Sequence, residues 1–233
     1  MTPSLRSQAI EIIDQGPGAY TAAEFEDCLL QLERIGKHIG AEASTLQAFQ
    51  RLRPAPSSIL DVGCGGGHFT ARLAAQFPET RVLGVDRNEA AIRFARHRHP
   101  GNLMNLEFFH THGDELDNLS EPFDVITSTL VCHHMKDKEL VSFLAKASSH
   151  ARHAVILNDL HRHPLALAGF YVLSRLFYRN RLIQSDGLLS IRKAFRKSDW
   201  ESLLQAARIP VQDRCLRWCW PFRWCLVVSA KAS

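Results

Sequence analysis

No low-complexity tract interrupts the 233 residues, and with 45% apolar content the chain can bury a full core, as one α/β domain carrying an appendage. Neither sign of charge dominates. A formal net charge of +4 is too small to argue for a nucleic-acid surface. No Cys-x-x-Cys pair occurs among the six cysteines, and Cys215, Cys219 and Cys225 lack a nearby fourth ligand. Buried strand cysteines are expected there, and no metal. The opening Met1-Thr2-Pro3-Ser4-Leu5-Arg6 lacks the apolar core of a secretory signal, which with scattered cysteines points to a reducing, cytoplasmic setting. The most apolar run, Leu165 to Phe177, is too short to span a bilayer and is broken by Ser174 and Arg175.

What is present centres on Ser58 to Arg87. Ile59 to Val62 reads as a short buried strand, Gly63 to Gly67 as a turn too tight for side chains, and His68 to Phe77 as the helix leaving it. Such a turn brings backbone amides close to a ligand at a helix N-terminus, where the partial positive charge favours an anionic group. A second apolar strand, Val82 to Val85, ends in Asp86, roughly 20 residues after the turn, where a carboxylate can accept bonds from both hydroxyls of a ribose.

The spacing Asp61-x-Gly63-x-Gly65-x-Gly67 differs from the Gly-x-Gly-x-x-Gly of dinucleotide enzymes and resembles motif I of class I S-adenosylmethionine-dependent methyltransferases. The resemblance implies a Rossmann-like α/β fold: a seven-stranded, mostly parallel sheet with an antiparallel last strand. It implies S-adenosylmethionine as cofactor, its methionyl part over the glycine turn and its ribose on Asp86 with Arg87 beside it. It also sets Asp114 and Glu115, after the third strand Leu106 to His110, near the adenine, and Thr129 at the exit of the fourth strand. A loop-capping aspartate is the alternative for Asp114.

The preceding segment has apolar residues at helical spacing: Ile10 and Ile13, then Phe25, Leu29, Leu32, Ile35, Ile39, then Leu46, Phe49 and Leu52. Asp14 to Gly18 divides it into a short first helix and a longer second one, opened by the capping box Thr21-Ala22-Ala23-Glu24 and stopped at Gly40. Residues 1–53 thus read as a helical arm, either a structural cap or a cover for the acceptor, and residues 54–233 as the cofactor-binding domain. Within the latter, residues 161–197 read as an inserted lid. The run Leu165 to Phe177 is then a greasy cover over an apolar or aromatic acceptor, with transient contact to a membrane surface as an option, or else a buried core helix. The basic face of Arg93, Arg96 and Arg98 reads as solvated.

The fourth strand, Val125 to Ser128, leads into Val131-Cys132-His133-His134-Met135, where the methyltransferase family frequently carries a Leu-His-His-like segment. Ligands of doubly wound sheets sit at the carboxyl ends of strands, and imidazole titrates near neutrality, so His134 or His133 can take a proton from an acceptor hydroxyl. The alternative is that both only cap the next helix. Asn158-Asp159-Leu160 and Ser185 to Phe195 look like a subgroup of small bacterial methyltransferases with ubiquinone/menaquinone-type cores, some of which accompany polyketide synthases. His161 is expected at the acceptor, and Asp186, Ser190 and Arg192 belong to the lid's return loop, where hydrogen bonding either holds the lid closed or orients the acceptor. Thr127-Ser128-Thr129 stands where metal-dependent catechol-type enzymes carry an aspartate, and no proline follows the fourth strand as in nucleic-acid base methylases. The expected activity is therefore O- or C-methylation of a phenolic, quinol or polyketide-like small molecule. The rivals are an RNA or protein methyltransferase and a non-catalytic binding protein of the same fold.

Overall fold

The computed structural model describes residues 5–16, 18–38, 41–101, 103–111, 116 and 121–230. Among them seven strands, β1 (Ser58–Val62), β2 (Arg81–Asp86), β3 (Leu106–His110), β4 (Val125–Thr129), β5 (Ala154–Leu160), β6 (Arg214–Cys219) and β7 (Arg223–Ser229), join in one sheet of order β3-β2-β1-β4-β5-β7-β6. β7 runs antiparallel to both its neighbours, β5 and β6, and the other adjacent pairs are parallel. The helices are α1 (Ala22–His38), α2 (Ala41–Arg51), α3 (His68–Gln76), α4 (Glu89–Arg98), α5 (Asp137–His150), α6 (Pro164–Phe177), α7 (Arg181–Lys193) and α8 (Lys197–Ala206).

The two-residue period of the strands gives the sheet two apolar faces. Leu60, Val62, Leu83, Ile126 and Val155 meet Leu140 and Leu144 of α5 and Trp200 and Leu204 of α8. Ile59, Val82, Val125 and Ile156 face the other way, onto Leu46 and Phe49 of α2 and Phe69 and Leu73 of α3. At the opening of β4 the Asp124 carboxylate accepts from the amide and hydroxyl of Ser57 at 2.7 and 2.6 Å, and the Asp124 amide donates to Ser58 Oγ at 2.9 Å. These bonds fix where β4 begins beside β1.

The arm departs from its sequence pattern in two places. The spacing of Ile10 and Ile13 predicts a short helix, yet residues 6–11 form no regular element and only a 3-10 turn, Ile12–Gln15, follows. The cause is tertiary: the amides of Ile12 and Ile13 donate to the two carboxylate oxygens of Asp186 in α7, both at 2.9 Å. The capping box of α1 forms as expected, with Thr21 N to Glu24 Oε2 at 2.9 Å and Glu24 N to Thr21 Oγ1 at 3.2 Å. That helix ends at His38 and a separate one, α2, begins at Ala41; the stop expected at Gly40 lies outside the described residues.

α6 is not a buried core helix. Leu165, Leu176 and Phe177 are 66%, 69% and 72% exposed, and Ser174 is its one buried residue. The helix leans on α7 through Phe170, whose ring fills the space where a Cβ on Gly187 would lie, 2.4 Å away.

The glycine turn after β1 is built against the segment after β4. Gly63 has φ +76°, and a Cβ there would come within 2.4 Å of Val131 Cγ2. Left-handed backbone and overpacking together set the cost of Gly63→Ala at roughly 2–4 kcal/mol. The expected readout is a lowered urea midpoint; an unchanged midpoint would mean that Val131 yields freely.

Candidate active site at the carboxyl edge of the sheet

Three of the glycines expected at the cofactor, Gly63, Gly65 and Gly67, all have positive φ, at 76°, 52° and 77°. The turn is pinned to the next strand, because Gly63 N and Cys64 N both donate to Val85 O at 2.8 and 3.0 Å. Gly67 is closed in by Phe108, whereas a Cβ on Gly65 would meet nothing within 4 Å. The bend is therefore packed on one side and open at its tip. Asp86 is aimed at that tip: Gly65 N donates to its Oδ2 and Asn88 N to its Oδ1, each at 2.8 Å. One amide per oxygen orients the carboxylate and leaves each oxygen able to accept again.

Asp61 lies beneath the turn rather than beside its open tip. It is 2% exposed, and its Oδ2 accepts from Thr70 Oγ1 of α3 at 2.7 Å. Burial first, opposed by the Thr70 bond and reinforced by the charges of Asp86 and Glu42, pushes its carboxyl up to about 7. Asp61 thus ties β1 to α3. Thr129 ends β4 with a buried hydroxyl that has no hydrogen-bond partner, a free donor at the sheet edge. The expected adenine residues Asp114 and Glu115 lie outside the described residues.

Cys132 to His134 form a 3-10 turn directly after β4. His133 is buried, its Nδ1 2.7 Å from Asp159 Oδ1 and its amide donating to Asp159 Oδ2 at 3.1 Å. The His134 ring packs on it, centroids 4.2 Å apart, and places its own Nδ1 2.7 Å from Asp14 Oδ2. Burial would depress the His134 imidazolium, but the Asp14 bond and the charges of Glu11 and Asp14 outweigh it and raise its pKa. For Asp14 the same contacts, with Arg87 and Lys193, overcome burial and hold the carboxyl down at about 2. Lys193 of α7 completes the cluster, its Nζ 3.1 Å from Glu11 Oε1 and 3.7 Å from Asp14 Oδ2. A cavity of about 230 Å³ opens here, bordered by Ile10, Asp14, Arg87, His133, His134 and Lys193.

The remaining expected residues are placed differently. Arg87 reaches the arm, pairing with Asp14 at 2.6 Å. Asp186 spends its carboxylate on the arm's amides, and Arg192 points outward while the next residue, Lys193, turns in. His161 accepts from Trp218 Nε1 at 3.1 Å and packs among His163, Phe222 and Trp224. Burial and the charges of His163, Arg196 and Arg162 lower it to about 4. It belongs to the aromatic end of the terminal hairpin. Glu11, Asp14 and Lys193 were not among the candidates of the sequence, since no local motif marks them. Asp159, at the mouth of β5, carried a positional signal only.

Residues 59–154 match the family described as "Methyltransferase domain". A ubiquinone biosynthesis O-methyltransferase of Mesorhizobium japonicum is 30% identical over an alignment covering 78% of this chain and 69% of that protein. A trans-aconitate 2-methyltransferase of Deinococcus radiodurans is 35% identical over 50% of this chain and 42% of its own length. Among solved structures, the plantazolicin methyltransferase BpumL, in complex with a monoazolic desmethylPZN analog and SAH, superposes with TM-score 0.70 at 17% identity, over 93% of this chain and 91% of that one. Human N-acetylserotonin methyltransferase in complex with SAM gives 0.65 at 13% identity, over 91% of this chain and 57% of that one. Sheet order, acid-glycine turn and an identity of 30% sustained across most of both chains agree, and this chain belongs to the class I S-adenosylmethionine-dependent methyltransferases.

Proposed function

We propose that the protein moves a methyl group from S-adenosylmethionine to a hydroxyl of a small apolar or aromatic acceptor, of phenolic or quinol type. The observation that carries this reading is Asp86, held by two amides at the open tip of a positive-φ glycine turn. Its oxygens suit a ribose diol, the α3 N-terminus and the turn suit the methionyl part, and the orphan Thr129 hydroxyl offers a further donor. The adenine is assigned to Asp114 and Glu115 on the family resemblance, and Arg87, next to Asp86, pairs with Asp14 of the arm at the same place. When bound, the cofactor supplies a methyl carbon already activated on a sulfonium, which becomes a neutral thioether as that bond breaks.

The chain's own work is then to align the acceptor, exclude water and remove one proton. Alignment contributes about 7–11 kcal/mol in favourable cases, and a positioned base typically 10²–10⁴-fold. His134 takes the proton. Asp14, ionised at neutral pH, can only accept, so the neutral ring carries its hydrogen on Nδ1 and offers Nε2 to the hydroxyl. His133, locked on Asp159, holds the shape of the turn beneath. The relatives named as O-methyltransferases favour oxygen over carbon as the methylated atom.

α6 supports an acceptor taken from a membrane surface. Its outer side shows Tyr171, Val172, Leu173, Leu176 and Phe177, and no acidic residue occurs between Asp159 and Asp186, whereas Arg175 and Arg179 are exposed. None of the helices is long and apolar enough to cross a membrane, among the described residues.

Asp86→Ala is expected to weaken S-adenosylmethionine binding about tenfold or more in calorimetry, in line with two lost hydrogen bonds to a charged group; unchanged affinity removes the ribose assignment. His134→Gln should keep that affinity and lose on the order of 10²-fold in turnover with a quinol or phenol acceptor. Vesicles rich in anionic lipid should sediment the protein, and the pair Leu176→Glu with Phe177→Glu should abolish sedimentation without altering the melting temperature.

A further inference from the structure

The described residues before α1 lie across the carboxyl edge of the sheet as a strap, with no regular structure among them apart from one 3-10 turn. What holds it is specific. Arg6 Nε donates to Lys193 O at 2.8 Å, and its guanidinium lies over the Phe195 ring at 4.2 Å and pairs with Asp137. Ser7 N donates to Arg192 O at 3.1 Å. Farther along, Ser190 Oγ donates to Glu11 Oε2 at 2.9 Å, and Asp186 takes the amides of Ile12 and Ile13. These partners fix the strap against α7 and the β4 exit. None of them touches the base itself.

The strap's contribution to the His134 imidazole is one hydrogen bond, from Asp14, with Glu11 Oε1 behind it at 3.8 Å. The other polar groups around the imidazole are Lys193 from α7, His133 backed by Asp159, Arg87 acting through Asp14, the strap's Arg6, whose Nη2 donates to the carbonyls of His133 and Met135 at 3.4 and 3.2 Å, and Lys136 and Glu139, which border the same cavity. Two contacts hold the His134 ring, the stacking on His133 with centroids 4.2 Å apart and the Nδ1 bond to Asp14 at 2.7 Å. Of these, the one that sets the proton on Nδ1 stands on the strap.

Resting on the reading of His134 as the base, we propose that Asp14 is its positioning residue, supplied in trans to the cofactor-binding core by the strap, so that the base is assembled only while the strap is docked. In the reaction the acceptor hydroxyl loses its proton to His134 Nε2 as its oxygen bonds the methyl carbon and the carbon–sulfur bond breaks. The imidazolium formed is neutralised by the Asp14 carboxylate across Nδ1–H, with Glu11 nearby. Docking and chemistry are thereby linked, with signs that can be worked out. His134 is raised, so its protonated form favours the docked strap below the ordinary histidine range, and that contribution is lost as pH climbs through the raised value. Asp14 is depressed to about 2, so its contribution is complete above the ordinary carboxylate range and lost as pH falls toward about 2.

The test combines kinetics on the full chain with NMR titration of its histidine side chains. D14N is expected to lower the His134 pKa, move the basic-going limb of the pH–turnover profile to lower pH, and reduce turnover at least tenfold while sparing S-adenosylmethionine affinity. In an H134Q background D14N should cost nothing further, and D14E should restore part of the loss. D186N, distant from the imidazole but holding the strap's amides, should shift the titration in the same direction; it carries the same test should D14N not fold. An unmoved His134 titration in both variants, or an equal D14N loss with and without His134, overturns this inference alone. Full turnover by H134Q overturns the base assignment and this inference with it.

Discussion

The bend between β1 and α3 is the constraint on which the site depends. Gly63 N and Cys64 N share one acceptor, Val85 O, so the exits of β1 and β2 are welded side by side before any ligand arrives. Gly65 N then finds Asp86 Oδ2, which turns a carboxylate at the end of a strand into an oriented acceptor. On the other flank Val131 fills the space a side chain at Gly63 would need, so the same bend also sets the height of the segment carrying His133 and His134. Asp86 and the paired histidines are held in register by backbone bonds and a missing Cβ.

A second requirement is electrostatic. Glu11, Asp159 and Lys193 are each buried, and Asp14 and His134 are nearly so. Isolated charges at such depth would neutralise rather than persist. Here they face one another, Glu11 with Lys193, Asp14 with His134 and Arg87, Asp159 with His133, and the lowering of Asp14 and Asp159 against burial follows from their pairings. The cluster draws on the strap, β2's exit, the turn after β4, β5 and α7. It exists only in the folded chain.

How much could be read from residues alone follows from how local each feature is. The glycine turn and Asp86 were legible because backbone conformation and carboxylate position lie within one β-turn-α-β unit. The capping box of α1 was legible for the same reason, resting on a cap a few residues long. The short helix expected around Ile10 failed because its periodicity was outbid by a carboxylate 174 residues away in sequence. Arg192 was named and Lys193 was not, since only the rotation of α7 decides which of two adjacent cations turns inward. Asp186 and His161 were expected to border the acceptor, the former alternatively to hold the lid closed; the fold ties one to the strap and the other to Trp218.

By itself, then, the order of residues determined the class of fold and the glycine turn with the acid beside it, because both are written in short-range patterns of apolar alternation, glycine and a strand-terminal acid. Only the tertiary structure decided which acids stand behind His133 and His134. Asp14 and Asp159 reach those rings through space, from segments that share no pattern with the turn, and pairing of buried opposite charges is a property of distance and burial that no local spacing encodes.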